Sequence, residues 1–153
     1  MATNLPFDPA AFLDVEMDSP LEKRPPLPVG DYTSTIRDVI PKAWQKEERS
    51  GMMYEVMHTV EVPESVRTVS GLTEPTLLMR DNIFLDLTET GGMDGAPGKN
   101  RQLRNYRVAL DMNNPGEPFR ARSMIGRLCL IKVEHEVYKG APVERIGGVA
   151  KLG

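Results

Sequence analysis

One cysteine, two histidines and one tryptophan are all that 153 residues offer of the side chains that most often carry chemistry. The single Cys129 excludes an intramolecular disulfide, which fits a reducing cytoplasm. It stands in the apolar run LCLIKV and reads as a small buried hydrophobe, not a nucleophile. No apolar run reaches the roughly 18 residues needed to span a bilayer. The opening MATNLPFDPAAFLDVEMDSP carries acids where an export signal carries bases. The reading is a cytoplasmic protein without a membrane segment. Gly-x-Ser-x-Gly, HExxH and a catalytic Cys–His context are all missing, and the carboxylates are scattered, so no enzyme and no cofactor is expected. The glycine-rich GGMDGAPG ends in Gly98-Lys99-Asn100, without the Gly-Lys-Ser/Thr and the spacing of a phosphate loop, and reads as a linker. Aromatics make up only 6%.

What is present is proline, glycine and unevenly placed charge. Thirteen of each punctuating residue imply short elements and many turns. The net charge is −3, and it resides in residues 1–28, where Asp8, Asp14, Glu16, Asp18 and Glu22 face only Lys23 and Arg24. Residues 99–127 run the other way, with Lys99, Arg101, Arg104, Arg107, Arg120, Arg122 and Arg127 against Asp111 and Glu117. Residues 1–29 form an acidic, Pro-rich extended leader with one helical turn expected at PAAFLDV, Pro9 in its first position. Phe12 and Leu13 are candidate anchors, onto the body or onto a second copy.

The body, residues 30–153, reads as one mainly β domain. DYTSTIRDVI (31–40) predicts a first strand with Tyr32, Ile36 and Ile40 on one face; it ends at Pro41 or bends through it. The polar segment 41–51 follows as a connection. MMYEVMHTVEV (52–62) alternates most clearly, with Tyr54, Val56, His58, Val60 and Val62 opposite Met53, Glu55, Met57, Thr59 and Glu61. Residues 63–75 read as a loop and 76–87 as a third strand. RQLRNYRVALDM predicts the one helix, with Leu103, Tyr106 and Leu110 on one side and Asn100 placed to cap it. Residues 126–138 and 143–152 predict a closing hairpin, with a bulge or close approach at Gly147-Gly148. Five strands with one α-helix between the third and fourth is the order of the OB-fold, a Greek-key barrel; irregular α+β sandwiches share it.

Glu134-His135-Glu136 suggests a metal or acid–base site, but strand alternation sends His135 to the face opposite both glutamates. His58 likewise sits among valines, so both histidines read as hydrogen-bonded residues at the core edge. The remaining constellation is basic and aromatic. The connection after the first strand offers Lys42, Trp44, Lys46 and Arg49; the last turn offers Tyr138 and Lys139; Tyr54, Arg37, Arg80, Lys132 and Arg145 lie on strands. Rings stack on bases and cations follow phosphates, so these are the candidate single-strand-binding residues.

LPVGDYTSTI, the leader FDPAAFL, and LRNYRVALDMNNPGEPF followed by GRLCLIKVEHEVYKGAPVERIGGVAKL resemble small single-stranded-DNA-binding proteins encoded by bacteriophages. The likeness covers residues 6–152. It implies an OB-fold protein that coats single strands in phage replication or recombination, without strong sequence preference, in the host cytoplasm. It also implies replication or recombination proteins as partners. Two departures stand out. The chain ends in VAKLG where many such proteins carry an acidic tail, which leaves the acidic leader as the candidate recruiter or self-association element. The aromatic count also leaves little for a wide stacking platform. The rival reading is a protein-interaction or virion module on a similar barrel.

Overall fold

The computed structural model describes residues 6–153; residues 1–5 of the leader lie outside the described residues. Five strands, β1 (Gly30–Lys46), β2 (Arg49–Glu61), β3 (Thr76–Phe84), β4 (Leu128–Tyr138) and β5 (Ala141–Ala150), form one antiparallel sheet in the order β3-β2-β1-β4-β5. Helix α1 (Glu64–Ser70) links β2 to β3, and α2 (Arg101–Ala109) lies between β3 and β4. Short 3-10 helices occupy Pro9–Asp14 and Ala121–Met124. The edge strands β3 and β5 approach each other, and α2 packs against both. Its Gln102 side chain serves β3 as a further strand would: the Phe84 N–H donates to Oε1 (3.1 Å) and Nε2 donates to the Asn82 carbonyl (3.3 Å).

β2 follows its sequence alternation. Val56, His58 and Val60 are fully buried while Met53, Glu55 and Met57 face outward. β1 departs from its expected alternation. Its register against β2 slips between Ile36 and Asp38, leaving Arg37 as an extra, exposed residue. Tyr32, Ser34 and Ile36 point into the core before the bulge and Val39 after it, so Ile40 turns away from the face it was expected to share with Tyr32 and Ile36. The Asp38 carboxylate accepts the Val39 N–H at 2.8 Å, and Ile36 bonds to Gly126 and Arg127 just ahead of β4.

Three further expectations are corrected. Segment 41–51 is no loop: β1 continues through Pro41 to Lys46, and Glu47-Glu48 alone makes the turn into β2. Proline is tolerated because β4 flanks β1 only as far as Thr35; beyond that one side of the strand has no neighbour needing an N–H. Residues 63–75 hold a second helix, α1, which starts after Pro63 and stops at Gly71 in the left-handed region (φ 83°). Asn100 sits at the start of α2, yet its side chain caps nothing there; it bonds Asp86 and the Asp94 carbonyl, pinning the glycine-rich connection to the end of β3. The expected turn in the leader is present at Pro9–Asp14, with Asp8 accepting the Ala10 N–H (3.1 Å). The leader's far end joins the body: Leu27 is fully buried, His135 Nε2–H donates to the Leu27 carbonyl (2.6 Å), and Arg24 pairs with Glu144.

A polar chain runs through the core. Tyr106 on α2 donates its hydroxyl to Asp81 Oδ2 on β3 (2.6 Å), so it accepts from His58 Nε2–H on β2 (2.8 Å). His58 Nδ1 then accepts from Ser34 Oγ–H on β1 (2.7 Å). Burial holds His58 neutral, its pKa pushed down to about 4, and raises Asp81 and Tyr106. Burial likewise pushes the Cys129 thiol up to about 11.

The His58 shift has a definite sign. An unfolded histidine takes a proton near pH 6.5, whereas folded His58 takes one only near pH 4, so its contribution to stability is complete above about 6.5 and is lost as pH falls toward 4. Urea unfolding at pH 7 and pH 5 is expected to show a loss of about 2 kcal/mol in the wild type that His58→Gln lacks. Equal pH slopes in the two proteins would refute it. At pH 7, Tyr106→Phe is expected to cost about 1–3 kcal/mol, because the buried His58 Nε2–H loses its acceptor and Asp81 loses the hydroxyl.

Candidate nucleic-acid interface

The β1 bulge decides which side chains reach the outer surface. Beyond it the even-numbered residues of β1 face outward, so Lys42 and Trp44 join Met53 and Glu55 of β2 and Arg80 and Phe84 of β3 on one face. The register sets Lys42 across from Met53, Met53 across from Phe84, and Trp44 across from Gly51. Gly51 is what lets the indole lie down: a Cβ there would come within 2.8 Å of the Trp44 ring. Trp44 is consequently half-buried and meets Phe84 edge-on, with centroids 6.2 Å apart and planes at 80°. Its Nε1–H is buried and has no acceptor among the described residues. Phe84 keeps 52% of its surface exposed, so a flat apolar platform stays open to a ligand.

Glu55 organises the charges on this face. Lys42 Nζ donates to its carboxylate at 2.7 Å, and Arg80 Nε lies 3.9 Å away. The Lys42 hydrogen bond, helped by the charges of Lys42 and Arg80, holds the Glu55 carboxyl below its usual range. Two cations thus share one carboxylate on the face that carries the aromatic pair, Lys42 across from Met53 next to the pair and Arg80 further along, across from Met57.

Of the residues singled out from the sequence, Lys42, Trp44 and Arg80 come together here. Lys46 and Arg49 pair at the exposed end of the same hairpin, and Arg37 is the bulge residue. Tyr54 does not join them: it lies on the inner side, half-buried against the core, and lines a cleft with Pro41 and Arg122. Lys132 and Arg145 lie on β4 and β5, flanking Glu134 at 3.9 and 3.0 Å. The β5 bulge falls at Gly147, where a Cβ would strike the Glu134 carboxylate, so the close approach expected there is present. Tyr138 and Lys139 form the last hairpin tip, with Lys139 and Gly140 both at positive φ (50° and 80°) and the Lys139 ammonium 5.3 Å from the Tyr138 ring. Because β4 passes Gly30 at Val133, that tip lies beyond the start of β1, whereas Trp44 is near its end. Phe84, Met53 and Glu55 were not singled out; the alternation of buried Leu77, Met79 and Ile83 along β3 already marks Phe84 and Arg80 as outward neighbours.

Among the described residues, no three of His, Cys, Asp or Glu gather closely enough to hold a metal ion, and no helix is long and apolar enough to cross a membrane. The chain matches no protein-family model and no curated protein.

The seating of Trp44 on Gly51 is directly testable. Gly51→Ala is expected to push the indole into solvent, with a red-shifted emission and stronger acrylamide quenching of the sole tryptophan. An unchanged spectrum would contradict the packing.

Proposed function

We propose that this protein binds and coats single-stranded DNA without strong sequence preference, as a phage-type replication or recombination factor built on an OB-type barrel. The observation that carries this reading is the outer face of β1–β2–β3, which presents the Trp44–Phe84 pair together with Lys42 and Arg80. Stacking on such rings contributes about 1–3 kcal/mol per base whatever its identity, and the cations follow the phosphates. The sheet order supports the barrel: β3 and β5 are its two edges, they come close together, and α2 lies across them, as in a five-stranded partly open barrel. Tyr138 and Lys139 on the far hairpin, with Lys132 and Arg145 behind them, extend the proposed path for the strand. The host-cell cytoplasm is its proposed setting, with other replication or recombination proteins as partners.

One observation favours the protein-interaction reading as a companion activity. Phe12, Leu13, Val15, Met17 and Leu21 of the leader are all exposed, at 58% or more. Apolar side chains in that number on an acidic segment suit a protein partner.

Titration of fluorescently labelled oligo(dT) at two salt concentrations tests the main reading: binding is expected at low salt, with affinity falling steeply as salt rises. No binding at low salt overturns it. Trp44→Ala and Phe84→Ala are each expected to weaken binding by about fivefold or more. Glu55→Gln releases Lys42 and Arg80 to the phosphates and is expected to tighten binding a few-fold and steepen the salt dependence; weaker binding would show that Glu55 is needed to position them.

A further inference from the structure

Two parts of this chain carry charge that the fold leaves unmatched, and the signs are opposite. Asp8, Asp14, Glu16, Asp18 and Glu22 of the leader make no ion pair among the described residues. The seven cations between residues 99 and 127 make none either. Three of them, Lys99, Arg104 and Arg107, line a cleft of about 390 Å³ between α2 and the glycine-rich connection. Its apolar lining includes Met93, Pro97 and Leu103. Arg107 is fixed there by a hydrogen bond to the Met112 carbonyl (3.1 Å) and by stacking on Phe119 (4.4 Å). Asp94 is the one carboxylate in the lining, and it accepts the Ala96 N–H.

The leader has the matching chemistry. Its 3-10 helix is held by the Asp8 cap and by an edge-on Phe7–Phe12 contact (5.9 Å), so Leu13 and Asp14 are presented from a formed element, with Glu16 just past its end. Leu13 is 88% exposed, which is a large apolar surface left without cover. Burying it beside three cations and an apolar floor satisfies both sets of unmatched groups.

The direction of the chain argues for a second copy as the receiver. Read backward from the body, the leader passes His135 at Leu27 and Glu144 at Arg24, and Lys23 lines a cleft with Tyr138 and Lys139 at the hairpin tip. It therefore runs along the β4–β5 hairpin toward its tip. The opposite end of β5, at Gly148 and Val149, is the part that lies beside α2. The leader thus departs from the body at the end of β5 remote from its own α2 cleft.

We propose that the Phe12–Glu16 segment of one copy docks in the α2 cleft of the next, with Leu13 on the apolar floor and Asp14 and Glu16 against Lys99, Arg104 and Arg107. Donor and receiver are different surfaces, so the contact is head-to-tail and generates open chains of molecules. It requires no DNA and stands apart from the single-strand reading.

A charge swap on the full-length protein tests it. Sedimentation velocity at low salt is expected to show concentration-dependent oligomers that dissolve at high salt. Lys99→Glu with Arg104→Glu, and separately Asp14→Lys with Glu16→Lys, are each expected to weaken association about tenfold or more. Mixing the two variants pairs each altered leader with an altered cleft and is expected to restore assembly. Circular dichroism confirms that both variants fold, and the mixing arm does not depend on either variant alone. A monomeric wild type, undiminished assembly in either variant, or failure of the mixture to assemble overturns the proposal. So does a cleft variant that loses oligo(dT) affinity but keeps its self-association, since the cleft would then take phosphates.

Discussion

The outer face depends on one extra residue. With strict alternation along β1, the side chains that share a face with Ile36 would include Lys42 and Trp44, and both would be driven toward the core. The slip at Arg37 reverses the phase, puts Val39 inward, and delivers Lys42 and Trp44 to the surface. The cost of interrupting the ladder is offset locally, by the Asp38 carboxylate on the Val39 N–H and by the Ile36 bonds to Gly126 and Arg127. The same residue is therefore a backbone device and the origin of the candidate interface. Glu55 and Gly51, on the neighbouring strand, have meaning only because that phase was reversed.

Polar groups inside the sheet follow a similar economy. Ser34, His58, Tyr106 and Asp81 come from four different elements, and each satisfies the next. Such a chain specifies the placement of α2 more sharply than apolar packing does, because a displaced Tyr106 leaves the buried His58 Nε2–H unpaired and takes a hydrogen bond from half-buried Asp81. Gln102, one turn earlier on the same face, fixes the helix further by occupying backbone groups of β3. The helix is thereby held across the two sheet edges, where an unprotected strand would invite pairing with another chain.

Much of this was legible in the sequence, and the omissions share a cause. The valines and His58 of β2, the Leu103–Tyr106 face of α2, the Lys139-Gly140 turn and the Gly147 bulge announce themselves through periodicity or through residues of special conformational freedom. The Arg37 bulge carries no glycine and no asparagine, and so interrupts a good strand pattern silently. The first hairpin turns on Glu47-Glu48, with Glu47 at φ 56° and no turn-forming residue, which made a charged hairpin resemble a loop. Helix α1 is too short to show a period, and its Val69 is exposed. Trp44 was identified as a candidate, but its partners Gly51 and Phe84 come from two other strands, and only the register discloses them.

The placement of β1 at the centre of the sheet has a consequence for synthesis. Its second half pairs with β2 immediately, whereas its first half waits for β4, roughly a hundred residues later in the chain. As the polypeptide emerges, the hairpin and β3 can assemble early, but Gly30–Thr35 presents bare backbone until residue 133 arrives. Leu27 and its carbonyl wait on His135 in the same way. Completion is therefore postponed to the last fifth of translation, and a nascent chain truncated before β4 keeps an open, pairing-competent edge in the middle of its sheet.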